Sequence, residues 1–319
     1  MKDNPMERRK IQLVAGTTYA ISLPKEWVKK NNLKERNEVV VTEKNNQTLV
    51  ITPEGTSEKK LQEVSLNIEE HATNIDQILF AVYYLGIEEI KLFAKKDIPK
   101  EVKTRVMNTL RHMSGTEVSY EDRQKIIIRV LLDKHKVDII QVLYRISLLI
   151  DSSLANMLNG LDITEIRLNE YEIDRLYHLS TKIISTSLLD SSILQSSQIQ
   201  NISLIPSFFL LSKRLENIAD NISYLAEYVY KKKSSLKKEL LTEVKDDIER
   251  ATKCILKKFT NIYSKIPDKR GHELYEEVHQ ILDRQVAEYC KEIIRLLIDI
   301  NEELVNISFY NKLISENML

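Results

Sequence analysis

The 319-residue chain has few of the residues that interrupt helices, since it contains only six glycines and six prolines. Charged residues make up 29% of it, a proportion that suits long helices with solvated faces. So few turn-forming residues leave little room for an all-β fold, with its many tight turns. We therefore expect a mainly α-helical protein.

Cysteine and long apolar runs are also scarce. Cys254 and Cys290 are the two cysteines, and both lie in apolar helical patterns where a free thiol acts as a small core residue. The most apolar stretches are much shorter than the roughly 20 residues that span a bilayer, and the polar N-terminus lacks the core of a signal peptide. We expect a cytoplasmic protein without membrane insertion.

A net charge of one sign is absent as well, because 47 Lys and Arg balance 47 Asp and Glu. Any attraction to nucleic acid must therefore come from a local patch. All six glycines are isolated, so neither a Walker loop nor a G-x-G-x-x-G turn can be written. No Ser-His-Asp or Cys-His arrangement stands out, and we expect the protein not to be an enzyme.

The first 55 residues change hydrophobic period several times. Two alternating segments precede the helical PKEWVKKNNL and two more follow it, which predicts a ββαββ unit. Pro24 suits the first helical position, and Asn45-Asn46 suits a tight turn between the last two strands. A unit this small buries little apolar surface, so we expect it to pair with a second copy of itself. The polar residues 54–60 suggest a linker.

The remaining sequence predicts two further regions. Residues 61–132 form a small α/β connecting domain, with helical spacing over 68–85, a stop at Gly86 and a second helix opened by Pro99. Its predicted strands are residues 89–94, 116–120 and 125–132. Residues 133–319 contain no convincing strand and predict a helical bundle of about six helices, with a possible break in the last one.

Two pairs of acidic residues lie on predicted bundle helices. The helix after Pro206 has an apolar seam, and Glu216 and Asp220, four residues apart, lie on another face of it. Glu170 and Asp174 are also four residues apart, and they lie on the outer flank of the preceding helix, beside its buried side. We expect both pairs to face solvent on one shared edge. Four carboxylates from two antiparallel helices could surround Mg²⁺, Mn²⁺, Ca²⁺ or iron, although such pairs are more often simply solvated. The predicted seam consists of Phe208, Leu211, Leu215, Ile218, Ile222, Leu225 and Val229.

The residues around these acids carry a family resemblance. KRLENIADNISYLAEYV, residues 213–229, resembles the signature helix of the PhoU family of phosphate-signalling bundles, an Arg-x-Leu-Glu-Arg-Ile-Gly-Asp-His run. Upstream, NEYEIDRL at residues 169–176 resembles the family's partner acidic motif. The resemblance implies two tandem three-helix repeats, residues 133–233 and 236–319. It also implies a divalent or ferric ion (Mg, Mn, Fe or Zn) at a site formed by Glu170, Asp174, Glu216 and Asp220.

The second repeat departs from this pattern. RLLIDINEELVNI aligns with the signature, with Ile298 in the place of Glu216, and HQILDR aligns with the partner motif. His279, Asp283 and Glu302 could keep a weaker site, but the lost carboxylate favours decay of this second site.

The front of the chain resembles the SpoVT-AbrB swapped-hairpin domain, a dimeric DNA-binding fold, on the segment RRKIQLVAGTTYAISLPKEWVKKNNLKERNEVVVTEKNNQTLVI. Residues 1–53 hold ten Lys or Arg against six Asp or Glu. Thr17 follows Gly16 where the family usually has Arg, so the domain could instead serve only to dimerise. The candidate DNA contacts are Arg8, Arg9 and Lys10 for phosphates and Thr17, Thr18 and Tyr19 for hydroxyl contacts from the hairpin tip.

Together these features predict a non-enzymatic regulator of phosphate homeostasis, a DNA-binding homodimer with a metal-binding PhoU-like bundle. The alternative is an interaction module whose bundle docks on a phosphate transporter or its ATPase, while the N-terminal domain only dimerises. The PhoU-like bundle would follow the small α/β unit and the ββαββ swapped-hairpin domain in the chain.

Overall fold

The computed structural model describes residues 8–45, 48–53, 63–260 and 268–316. The chain divides into two compact units, Met1–Lys60 and Leu61–Leu319. The predicted linker at 54–60 and the Asn46 half of the predicted turn lie outside the described residues. The predicted boundary between a connecting domain and a bundle, near residue 132, falls inside the second unit and stays a prediction.

The N-terminal unit has the predicted ββαββ order. Both of its sheets are two-stranded and antiparallel: β1 pairs with β2, with Gln12 opposite Ala20, and β3 pairs with β4, with Val39 opposite Pro53. Pro24 is the N-cap of the helix, one residue earlier than predicted, because its ψ of 129° is extended. The elements are β1 Gln12–Val14, β2 Thr18–Ala20, α1 Lys25–Lys30, β3 Val39–Asn45 and β4 Thr48–Pro53.

This unit has almost no core of its own. Of its residues whose exposure is described, Pro53 alone is buried. Apolar strand residues lie open, with Leu13 56%, Val41 55% and Leu49 65% exposed. An unpaired set of apolar strand faces is unstable in water, so this unit needs another surface to cover it.

The second unit begins with an α/β layer built on a four-stranded sheet, in the order β5-β6-β8-β7. Strand β5, parallel to β6, is not predicted by the sequence, because its five residues give too short a pattern and pair only with residues 26 positions away. The predicted helix over 68–85 is interrupted at 72–74. The elements are β5 Glu63–Asn67, α2 Ile68–His71, α3 Ile75–Tyr84, β6 Glu89–Phe93, α4 Lys100–Arg111, β7 Thr116–Glu121 and β8 Lys125–Val130.

Helices α3 and α4 cover the sheet and form its core with it. Alternate strand residues such as Ile90, Leu92, Ile126 and Ile128 have no exposed surface, as expected where one face of a pleated sheet is covered.

The rest of the unit is helical, as predicted. The last helix is continuous over 32 residues, so the break considered from the sequence does not occur. Asp138, Asp162 and Asp283 accept hydrogen bonds from the first turns of α5, α6 and α11, which fixes where these helices start. The helices are α5 Ile139–Asn159, α6 Ile163–Ser187, α7 Ser191–Ser196, α8 Ile205–Lys232, α9 Lys238–Leu256, α10 Asp268–Val278 and α11 Arg284–Ser315.

One hydrophobic cluster joins these helices from Val137 to Ile307. Helix α8 packs against α5, α6 and α11, and every residue of its predicted apolar seam is buried. Polar contacts add to the packing: Arg214 Nη1 on α8 donates to Glu303 Oε1 on α11 at 2.7 Å, and Lys245 Nζ on α9 lies 2.9 Å from Asp151 Oδ1 on α5. None of the described helices is long and apolar enough to cross a membrane.

The α/β layer packs directly on the first long helices of the bundle. Lys182 on α6 is buried, and its Nζ donates to the carbonyl of Tyr83, at the end of α3, at 2.9 Å. Arg175 Nη1, also on α6, donates to Ser114 Oγ of the α4–β7 turn at 2.7 Å. These contacts place α3 and the end of α4 over the face of α6 that carries Glu170 and Asp174.

Candidate functional site

Three of the four predicted carboxylates meet between α6 and α8. Glu170 and Asp174 project from successive turns of α6, and Asp220 projects from α8, which packs against it. One oxygen from each of the three lies within 4.8 Å of the others. We call these three residues the carboxylate cluster.

The cluster is less exposed than the sequence indicated. Glu216 is only 8% exposed, and Glu170, Asp174 and Asp220 are half-buried. The prediction that both pairs face solvent was wrong, because it placed them relative to the bundle seam alone. The α/β layer covers that face of α6, where Tyr84 of α3 hydrogen-bonds to His178.

Glu216 is not part of the cluster and is paired with a neighbouring ammonium group. Lys213 Nζ donates to Glu216 Oε2 at 2.6 Å and lies 4.8 Å from the centre of the Tyr177 ring. The predicted fourth ligand therefore already has a cationic partner from its own helix. This contact was not anticipated from the sequence, although the i, i+3 spacing of Lys213 and Glu216 was a visible signal for it.

Burial and mutual repulsion disfavour the ionised form of the carboxylates in the cluster. Burial raises the pKa of Asp174 to about 7, aided by the negative charges of Glu170, Asp220 and Glu216 and opposed by Lys213. Burial is also the main cause of a raised pKa for Glu170, Glu216 and Asp220. A bound cation would remove the penalty, since it stabilises the charged form of every carboxylate around it.

The spacing of the cluster fits a metal ion. Oxygen ligands lie about 2.0–2.6 Å from Mg²⁺ or Ca²⁺, so two ligands of one ion are at most about 5 Å apart. The separation of 4.8 Å or less among the three oxygens meets that condition. Glu170, Asp174 and Asp220 are the residues that would hold the ion.

A buried nitrogen atom lies beside the cluster and is a further candidate to coordinate a metal ion. His112, at the end of α4, has a buried Nδ1 with no hydrogen-bond partner among the described residues, and this atom lies 4.0 Å from Asp174 Oδ2. Burial lowers the pKa of His112, which favours the neutral ring that binds metals. His112 could not be predicted from the sequence, because it comes from the α/β layer and meets the cluster only through tertiary packing.

The aligned residues of the second repeat do not come together. His279 and Asp283 lie in the turn between α10 and α11 rather than on a helix face. Asp283 instead caps α11, and it also accepts a hydrogen bond from Ser234 Oγ at 2.7 Å. Glu302 is exposed on α11. Within the part of the chain that the structure describes, no second group resembling the carboxylate cluster occurs.

The candidate DNA contacts occupy two ends of one hairpin. Arg8, Arg9 and Lys10 are exposed and all precede β1, so none lies within the strand. Thr17, Thr18 and Tyr19 lie at the opposite end, where Thr17 N donates to Val14 O to close the turn. The hairpin thus separates the basic residues from the hydroxyl groups. One protomer does not bring the six predicted residues into a single patch.

The backbone conformation of the hairpin turn accounts for a glycine at position 16. Ala15 and Gly16 both have positive φ, of 53° and 74°, as the tight two-residue turns that match strand twist require. A side chain at Gly16 would meet no atom within 4 Å, so its role lies in the backbone conformation rather than in a close approach.

Comparison with protein families identifies the type of the N-terminal unit. Residues 12–59 match the family model described as antidote-toxin recognition MazE, bacterial antitoxin. The N-terminal swapped-hairpin domain is supported by this match. The match covers less than a fifth of the chain and ends before the second unit. No curated protein and no solved structure matches the chain.

Proposed function

We propose that the protein is a non-enzymatic regulator: a homodimer that contacts DNA through its N-terminal unit and senses a metal ion at the carboxylate cluster. The observation that carries the proposal is the near absence of a core in the N-terminal unit. Its apolar strands need a partner, and a second copy offers matching faces by symmetry. The match to a MazE-type domain supports the same arrangement.

DNA binding would depend on the symmetry of the dimer. Residues 1–53 carry four more basic than acidic side chains, and two copies would double this excess on one assembly. Arg8, Arg9 and Lys10 then supply phosphate contacts that do not depend on base sequence. A toxin-binding role of the kind named for the matched family is the competing proposal, and binding of a toxin protein without measurable affinity for duplex DNA would favour it.

The DNA contact is tested by fluorescence anisotropy with a duplex from the region upstream of the protein's own coding sequence. Replacing Arg8, Arg9 and Lys10 by Ala removes three cationic groups per chain, so the slope of log K against log salt falls by up to about 5 for a dimer. The matched control replaces Lys231, Lys232 and Lys233, at the end of α8, by Ala. Equal slopes for both triple variants would contradict the proposal.

The metal ion would act as a structural switch between α6, α8 and the α/β layer. An ion bound by Glu170, Asp174 and Asp220 would stabilise the conformation in which the three oxygens lie close together, and it would shift the protein toward that conformation. Calorimetry with Mn²⁺, Mg²⁺ and Fe²⁺ tests this directly. We expect one site per chain, loss of binding in Asp220→Asn and unchanged binding in Glu302→Gln, since Glu302 is exposed on another helix. Equal binding by wild type and Asp220→Asn would reject the site.

The assignment to phosphate homeostasis is supported by the resemblance of the α8 sequence to the PhoU signature. The rival proposal, docking on a phosphate transporter or its ATPase, predicts co-purification of that complex from native cells and no affinity for DNA. Metal analysis of protein purified from the same cells tests the metal site without any added ion.

A further inference from the structure

Lys213 is placed where an incoming cation would compete with it. It stands on α8 one turn before Glu216 and two turns before Asp220, and its ammonium donates to Glu216 at 2.6 Å. Its side chain is half-buried against the Tyr177 ring, which favours a cation at its face. The ammonium therefore has one contact on α8, with Glu216, and one on α6, with the Tyr177 ring.

We propose that Lys213 sets the affinity of the metal site: its ammonium holds Glu216 out of the carboxylate cluster and so limits the site to three carboxylate ligands. This inference rests on the metal site proposed above. It identifies a part of the chain that competes with the metal ion and thereby sets the concentration at which the ion binds.

The charges around Lys213 support this role. Its positive charge acts on Asp174 and Asp220 as well as on Glu216, opposing the rise in pKa that burial causes in each of them. The same charge repels any cation that enters the cluster. An internal ammonium therefore makes the metal-free site less unstable and the metal-bound site less favourable.

Glu216 is close enough in the helix to be recruited once the ammonium is gone. It is four residues before Asp220, so both side chains lie on one face of α8. It is also buried, and without Lys213 its carboxylate would have no cationic neighbour that the structure shows. A fourth carboxylate adds both a ligand and a negative charge for a divalent ion.

The test compares Mn²⁺ affinity in wild type, Lys213→Met and Lys213→Met/Glu216→Gln by calorimetry. Methionine keeps an unbranched side chain against Tyr177 but carries no charge. We expect Lys213→Met to bind Mn²⁺ roughly tenfold more tightly or better, because a repulsive charge is removed and a ligand is released. The double variant keeps only part of this gain, since the released ligand is lost again.

Lys231→Met is the matched control. Lys231 lies on the same helix, eleven residues after Asp220, and forms an i, i+4 pair with Glu227 at 2.9 Å. We expect its Mn²⁺ affinity to equal that of wild type. Thermal unfolding verifies that each variant is folded, and Lys213→Gln replaces Lys213→Met if the latter is not.

The outcomes separate this inference from the proposed function. Tighter binding by Lys213→Met supports the inference, including the case in which wild type binds no Mn²⁺ and the proposed sensing role fails. Equal or weaker binding by Lys213→Met, where wild type binds, overturns the inference and leaves the metal site intact. If neither protein binds Mn²⁺, both are overturned.

Discussion

The two units of the chain contrast in what they expose and what they bury. The N-terminal unit leaves apolar strand residues such as Leu13 and Leu49 in water, whereas the second unit half-buries the carboxylate cluster. Exposed apolar strands and buried carboxylates each cost free energy unless another group covers or neutralises them. The missing component differs: a second copy would cover the apolar strands, and a cation would neutralise the carboxylates. On this contrast we base the proposal that one unit assembles with a second copy and the other senses an ion.

The largest expected effect is on dimerisation through the N-terminal unit. Leu13→Asp puts a charge on a strand face that the proposed dimer covers, so dimerisation weakens by roughly 3 kcal/mol or more, over 100-fold in dissociation constant. Sedimentation equilibrium measures the change. Leu168→Asp, at a 60% exposed position on α6, is the control and leaves the dimer intact. A monomeric wild type, or equal dissociation constants for both variants, would contradict assembly through this face.

The second prediction concerns the second unit, at a buried charge that already has a partner of opposite charge. Glu303→Ala leaves Arg214 without the carboxylate that lies 2.7 Å from it, so the helical unit loses about 2–3 kcal/mol of stability. Urea unfolding followed by circular dichroism measures the loss. The neighbouring Glu302→Ala removes an exposed carboxylate and changes stability by no more than about 0.5 kcal/mol. Equal effects of the two substitutions would show that the Arg214 pair does not stabilise the unit.

The smallest effect concerns the charge of the cluster itself and is measured without added metal. Because the pKa of Asp174 in the folded protein is raised to about 7, the folded state binds more protons than the unfolded state between pH 4 and 7. Its stability therefore falls as pH rises through that window. Asp174→Asn removes this loss, so it stabilises the protein at pH 8 by on the order of 1 kcal/mol and changes little at pH 4.

Urea unfolding at both pH values measures the effect, and Asp246→Asn, at an exposed position of α9, is the control. A destabilised Asp174→Asn at pH 8 would mean that the ionised carboxylate is stabilised by the fold, contrary to its surroundings.

Sequence patterns predicted several elements that depend on neighbours in the chain, although the helix predicted over 68–85 is interrupted at 72–74. The seam from Phe208 to Val229 is buried as its spacing predicts, because a helix repeats every 3.6 residues regardless of its partners. The order of strands and helix in the N-terminal unit follows in the same way. Strand β5 could not be predicted, since it is defined by pairing with β6 rather than by its own five residues.

At the candidate site, too, the sequence predicts what depends on helical spacing but not what depends on packing between distant segments. Family resemblance and helical spacing gave Glu170, Asp174 and Asp220, which the structure brings together. Their burial could not be predicted, because the layer that covers them is built from residues before α5. His112 shows why: it lies 62 positions before Asp174, and nothing near it in the sequence indicates a ligand.

The central claim, a metal site at the carboxylate cluster, is tested most directly by anomalous diffraction from crystals of the full chain grown with Mn²⁺. The account predicts one anomalous peak per chain, about 2.0–2.4 Å from an oxygen of Glu170, Asp174 and Asp220, and its loss in Asp220→Asn. The absence of any peak at these oxygens, while Mn²⁺ is present in excess, would contradict it.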